Sequence, residues 1–102
     1  MRAKQSMTTI AIDRQPLVHY LAEAGLVVDI ALYTLRHFSP TESERSDNDL
    51  KFLKALGHRQ ALERLVKAIL DEDDHEQVIL DANTASAVMF RKHMMERGVK
   101  IE

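Results

Sequence analysis

The strongest constraint on the fold is an apolar stretch, residues 17–35, that is followed by Ser39-Pro40. At 100° per residue, its apolar side chains form two rows on opposite sides of one helix. The wider row consists of Leu17, Tyr20, Leu21, Ala24, Val28, Ala31, Leu32 and Leu35. The narrower row consists of Ala22, Leu26, Ile30 and Tyr33. A helix with two apolar rows is either central in its domain or shared with a partner.

This stretch does not favour a membrane span, because it contains His19, Glu23 and Asp29. An acid near the bilayer centre costs ~2.5–3.5 kcal/mol even on lenient scales. The first residues lack the apolar core of a secretory signal, and residues 1–7 are expected to form a flexible tail. The chain also has no cysteine, so the expected location is the cytoplasm, without membrane contact.

The middle of the chain predicts a polar loop and two short helices. Residues 41–48 contain no apolar side chain, which indicates a loop over 39–48 with Asp47 or Asn48 as the next N-cap. Two apolar rows follow, and as one continuous helix they would differ in phase by roughly 140°. The row before Gly57 consists of Phe52, Leu53 and Leu56, and the row after it of Ala61, Leu62, Leu65, Val66 and Ile69. We therefore expect helices over 48–56 and 59–71, with Gly57 in a left-handed conformation between them.

The last part of the chain predicts one long helix over 74–97. Acidic residues at 71–76 suit a helix start, while Arg91, Lys92 and Arg97 followed by Gly98 suit a helix end. The expected fold is an all-α bundle of about four helices in a single domain, residues 1–102.

An α+β arrangement is the alternative for the C-terminal third. Residues 77–80 and 99–101 could be strands that flank a helix capped by Asn83, and residues 10–12 could add a third strand. This alternative arises because Asn83 and Thr84 are poor residues for the middle of a helix.

The motifs of common catalytic, metal and cofactor sites are missing from the sequence. Cysteine and a G-x-S-x-G motif are absent, and glycine occurs only at positions 25, 57 and 98, which excludes a glycine-rich phosphate loop. No two of the five histidines stand three or four residues apart. The acidic run at 71–76 lacks the spacing of a calcium loop. We therefore expect no catalytic residue, metal site or cofactor, and no enzymatic activity.

Nucleic-acid binding is the second hypothesis for function. The net charge is −2, but residues 45–70 carry six basic against three acidic side chains, and residues 90–100 carry four against one. The candidates for phosphate contact are Arg59, Arg64, Arg91 and Lys92. The acids at 71–76 would repel phosphates from the same neighbourhood, which weakens this hypothesis.

The favoured hypothesis is a small cytoplasmic protein–protein interaction module, a regulator or adaptor. Its support is the second apolar row of the first helix, which four short helices cannot easily enclose. Methionines at positions 89, 94 and 95 add adaptable apolar surface. We expect a homodimer, with Leu26, Ile30 and Tyr33 in the interface between the copies.

Overall fold

The computed structural model describes residues 13–98, and this part of the chain forms three helices and no strand. They are α1 (Arg14–His37), α2 (Glu42–Ile69) and α3 (Glu72–Glu96). The all-α prediction is confirmed. The strand considered at 77–80 is wrong, because these residues lie inside α3. The proposed strands at 10–12 and 99–101 and the tail at 1–7 lie outside the described residues.

The residues that are unfavourable in the middle of α3 make hydrogen bonds that accommodate them there. The hydroxyl of Thr84 donates to the carbonyl oxygen of Leu80, one turn earlier. The side-chain oxygen of Asn83 accepts a hydrogen bond from Arg59 of α2. Their low helix propensity, which suggested the strand alternative, is therefore offset by local and tertiary partners.

Each helix begins at a side-chain cap. The side chains of Asp13, Thr41 and Asp71 accept hydrogen bonds from backbone amides in the first turns of α1, α2 and α3. The amide of Glu44 donates to the Thr41 hydroxyl oxygen, which is one of the two bonds of a capping box, and the Thr41 hydroxyl donates to the Glu44 carboxylate at 2.8 Å. Residues 42–48, expected in the polar loop, consequently form the first turns of α2, and the expected cap at Asp47 or Asn48 is wrong.

Helix α2 continues through Gly57, so the expected break there is wrong and the bundle has three helices rather than four. The apparent phase shift came from counting Leu53 and Leu65 as core residues. Both lie on the outside, each 53% exposed. The side of α2 that faces inward is a single stripe that includes the charged residue Arg59. That stripe consists of Asn48, Phe52, Ala55, Arg59, Leu62 and Val66.

Helix α1 is the central element of the bundle. It packs along both α2 and α3, while α2 and α3 make few contacts with each other. An ion pair of 2.7 Å between Arg14 and Asp74 joins the N-terminal ends of α1 and α3, so these two helices run in the same direction. The buried core lies at the end of the bundle where α2 leads into α3. It consists of Leu21, Ala22, Val66, Leu70, Val78 and Ala82.

Gly98 and Gly57 occupy different places, one after the end of a helix and one inside a helix. Gly98 has a φ of +81° and follows the last turn of α3, which confirms the expected helix stop. Gly57 lies inside α2, and a Cβ added there would meet nothing within 4 Å. The helix therefore tolerates this glycine at its ordinary propensity cost.

We predict that Gly57→Ala raises the free energy of unfolding by about 0.5–1 kcal/mol, because alanine favours an uninterrupted helix and has open space here. Urea denaturation followed by circular dichroism measures the change. A left-handed glycine between two helices would instead make the same substitution destabilising, so the sign of the effect tests the continuity of α2.

Candidate functional site

The three helices meet where α1 carries a glycine. A Cβ built on Gly25 would lie 2.7 Å from Oγ and 3.2 Å from Cβ of Ser86 on α3, and 3.3 Å from Nε of Arg59 on α2. Ala22 and Ala82, one turn nearer the core, are also small and are 2% and 0% exposed. Small residues on both helices thus allow α1 and α3 to approach closely here.

A polar cluster lies across this crossing point. The guanidinium of Arg59 donates hydrogen bonds to the Glu63 carboxylate on its own helix and to the Asn83 side-chain oxygen on α3. The Arg59 side chain is only 16% exposed and that of Glu63 23%. Since Arg59 passes beside Gly25, this cluster links α2 to α3 over the backbone of α1. Its cation is both shielded from solvent and hydrogen-bonded, as a buried charge requires.

Asp29 is a half-buried acid one turn beyond Gly25 on α1. Burial raises the pKa of its carboxyl group, and the positive charge of Arg59 partly opposes that shift. The ionised carboxylate is therefore less stable here than in water, even with a guanidinium nearby.

Beyond this point, a groove of about 410 Å³ separates the second halves of α1 and α3. Its apolar residues are Leu32 and Tyr33 of α1 with Ala87 and Phe90 of α3. The rings of Tyr33 and Phe90 meet edge to face, with centroids 6.3 Å apart. The facing side chains are larger here than at Gly25 and Ser86, which accounts for the wider gap.

The edges of the groove carry mostly basic groups. Arg36, His37 and Arg91 line it together with Asp29. Arg36 and Arg91 are exposed, and neither forms an ion pair with another residue between 13 and 98. His37 packs against Tyr33 with ring centroids 4.4 Å apart. No local sequence pattern predicts this groove, because its residues come from helices about sixty positions apart in the chain.

The structure separates the three residues predicted for an interface between copies. Leu26 and Ile30 are half-buried on α1. Tyr33 is turned toward α3, where its ring contacts Phe90, and it also contacts His37 and Phe38 at the end of its own helix. Their role in an interface stays a prediction.

The four residues predicted for phosphate contact do not form one patch. Arg59 belongs to the shielded cluster, whereas Arg64, Arg91 and Lys92 are exposed. Arg64 is two residues before Val66 and so lies at the level of the core, where Val66 packs with Val78 of α3. Arg91 lies thirteen residues beyond Val78, about 20 Å along the helix. Nucleic-acid binding stays a prediction.

A second feature of the surface is its large apolar side chains. Ten of them among the described residues are 36–64% exposed, and only eight hydrophobic residues are buried. The exposed ones occur on every helix. They are Tyr20, Val27, Phe38, Leu50, Leu53, Leu65, Ile69, Leu80, Val88 and Met95.

Two further properties of residues 13–98 concern metal ions and membranes. No group of three or more histidine, aspartate or glutamate side chains there is arranged to hold a metal ion. Helix α1, with a mean hydropathy of 1.3 in its most apolar window, is long and apolar enough to cross a membrane. The central helix of a helical bundle can have the same length and composition.

No protein-family model, curated protein or solved structure matches the chain. The function is therefore inferred from geometry and chemistry.

We predict that Gly25→Ala lowers the free energy of unfolding by about 1 kcal/mol, because overpacking at the crossing outweighs the gain in helix propensity. The same substitution at Gly57 is the matched control and has the opposite sign. In a Ser86→Ala background the cost should shrink, since the closest clashing atom, Oγ, is removed. Equal effects in both backgrounds would contradict the close approach of α1 and α3.

We predict that Asp29→Asn stabilises the protein at neutral pH. The folded-state pKa is raised, so the ionised acid costs stability at pH values above it, and this cost disappears as the acid becomes protonated. Urea denaturation at several pH values should therefore show a gain at pH 7 that decreases as the pH falls through the raised pKa. A loss of stability at pH 7 would mean that attraction to Arg59 outweighs desolvation.

Proposed function

We propose that the chain is a small protein–protein interaction module that self-associates, with the outer side of α1 covered by a second copy. The observation that carries the proposal is the exposure of Tyr20 and Val27, which are 59% and 55% exposed in the most apolar helix of the chain. They stand seven residues apart and so lie on one side of the helix. Leu26 and Ile30, both half-buried, extend the same surface toward α3.

Burial of these side chains would favour the association of two copies. A large apolar side chain that goes from full exposure to full burial contributes about 1.5–3 kcal/mol, and in a two-fold interface every residue contributes twice. Tyr20 and Val27 are a little over half exposed and Leu26 and Ile30 are half-buried, so the gross gain is at most roughly 6–11 kcal/mol. Association also costs translational, rotational and side-chain entropy, so the expected dimer is a weak one.

The charges on this surface support a second copy as the partner. The side chains beside Tyr20 include one acid, Glu23, whose carboxylate lies 3.1 Å from Nε2 of His19 in the same copy. Two identical surfaces that meet about a two-fold axis would therefore bring few like charges together. In this proposal the chain acts as a small cytoplasmic regulator or adaptor, and a dimer is its working form.

We predict that Val27→Asp weakens self-association by about a hundredfold or more, because each dimer would bury two unpaired carboxylates. Leu65→Asp on α2 is the matched control, since Leu65 has nearly the same exposure, 53% against 55%. Sedimentation equilibrium of the full chain over ~1–100 µM measures both variants, with circular dichroism to verify folding.

Three outcomes would contradict the proposal. The wild-type chain could remain a monomer at the highest concentration. Leu65→Asp could dissociate the dimer while Val27→Asp does not, which would move the interface to α2. Finally, association that appears only with lipid vesicles would assign the outer side of α1 to a membrane.

A further inference from the structure

The groove between α1 and α3 combines features that suit a small ligand. Its volume of about 410 Å³ lies within the usual range of small-molecule sites. Two aromatic rings, those of Tyr33 and Phe90, line it and contact each other edge to face. Aromatic and aliphatic groups that converge with a few polar ones are the ordinary composition of a ligand pocket.

The charges in the groove indicate the sign of the ligand. Arg36 and Arg91 are exposed cations without an ion-pair partner among the described residues. The acid in the groove, Asp29, feels the charge of Arg59 on α2. The groove therefore has basic groups to offer an anion, and its remaining lining is apolar.

We propose that this groove binds a small carboxylic acid with a flat apolar body. The body would lie against Leu32, Tyr33 and Phe90, and the carboxylate would be directed to Arg36 and Arg91. Arginine is suited to this role because its guanidinium can donate two parallel hydrogen bonds to one carboxylate. A monocarboxylic acid carries a single charge, and that charge would stay at the exposed arginines. The apolar lining would then contact only the apolar body of the ligand.

The site is independent of the proposed dimer. The carboxylate would be bound by exposed residues at the C-terminal ends of α1 and α3, whereas self-association is proposed for Tyr20, Val27, Leu26 and Ile30. Ligand binding and oligomeric state can therefore be measured on the same samples, and either proposal can fail alone.

The test compares 2-naphthoate with the neutral 2-naphthamide, which has the same ring system without the charge. Binding to the isotopically labelled full chain is followed by nuclear magnetic resonance. We expect 2-naphthoate to bind with a Kd of about 1 mM or tighter, from the usual affinity per ligand atom. The amide should bind at least about tenfold more weakly, since it cannot form the charged hydrogen bonds. Shifts should concentrate at Tyr33, Ala87 and Phe90.

Matched variants locate the carboxylate. Arg91→Gln and Arg36→Gln should each weaken 2-naphthoate binding about tenfold, because each removes one charged donor. Lys92→Gln is the control: Lys92 neighbours Arg91 in sequence but does not line the groove. It lines an outer depression of α3 that Arg91 also borders, so Arg36→Gln, which affects the groove alone, distinguishes the two places. The Lys92→Gln variant should bind within about twofold of wild type.

Several results would overturn the proposal. They are equal binding of acid and amide, equal effects of Lys92→Gln and Arg91→Gln, and shifts confined to the outer side of α1. Absence of shifts at 10 mM 2-naphthoate would overturn it too. Dissociation of a dimer by Arg91→Gln would assign the groove to a second copy instead.

Discussion

The close approach of α1 and α3 at Gly25 is the constraint on which the rest of the structure depends. Because α1 has no side chain at that position, Ser86 can pack against its backbone and Arg59 can extend past it to Asn83. A shift of α2 relative to α3 would break the hydrogen bond from the shielded Arg59 guanidinium to Asn83, which is costly. We infer that this crossing sets the register of all three helices.

The same crossing determines where the open surfaces lie. Small residues bring the helices together near the core, and larger ones such as Tyr33 and Phe90 separate them beyond it, which creates the groove. With α1 in the centre and one helix packed along each side, α1 keeps an outer surface that neither neighbour covers. Three helices in this arrangement cannot enclose all the apolar side chains of the chain.

The two proposals use these two surfaces for different purposes. The outer side of α1 exposes large apolar side chains and one acid, Glu23, that lies beside His19, which suits a contact with another protein. The groove is small and has basic edges, which suits a compact anion. Nucleic-acid binding fits less well, because the predicted basic residues are distributed over α2 and α3 and Arg59 is already hydrogen-bonded.

The sequence by itself determined the extent of α1 and the helix stop at Gly98, because these follow from local periodicity and capping. It favoured the all-α class but left strands in the C-terminal third open, and the structure decided for a continuous α3. A local signal for the start of α2 is also present, since Thr41 and Glu44 have capping-box spacing. The polar composition of that segment nevertheless suggested a loop. Only the tertiary structure decided that α2 is continuous, because a charged residue, Arg59, occupies an inward position that periodicity assigns to apolar side chains. The groove likewise depended on tertiary packing, since its residues are brought together by helices distant in sequence, and no local pattern encodes that contact.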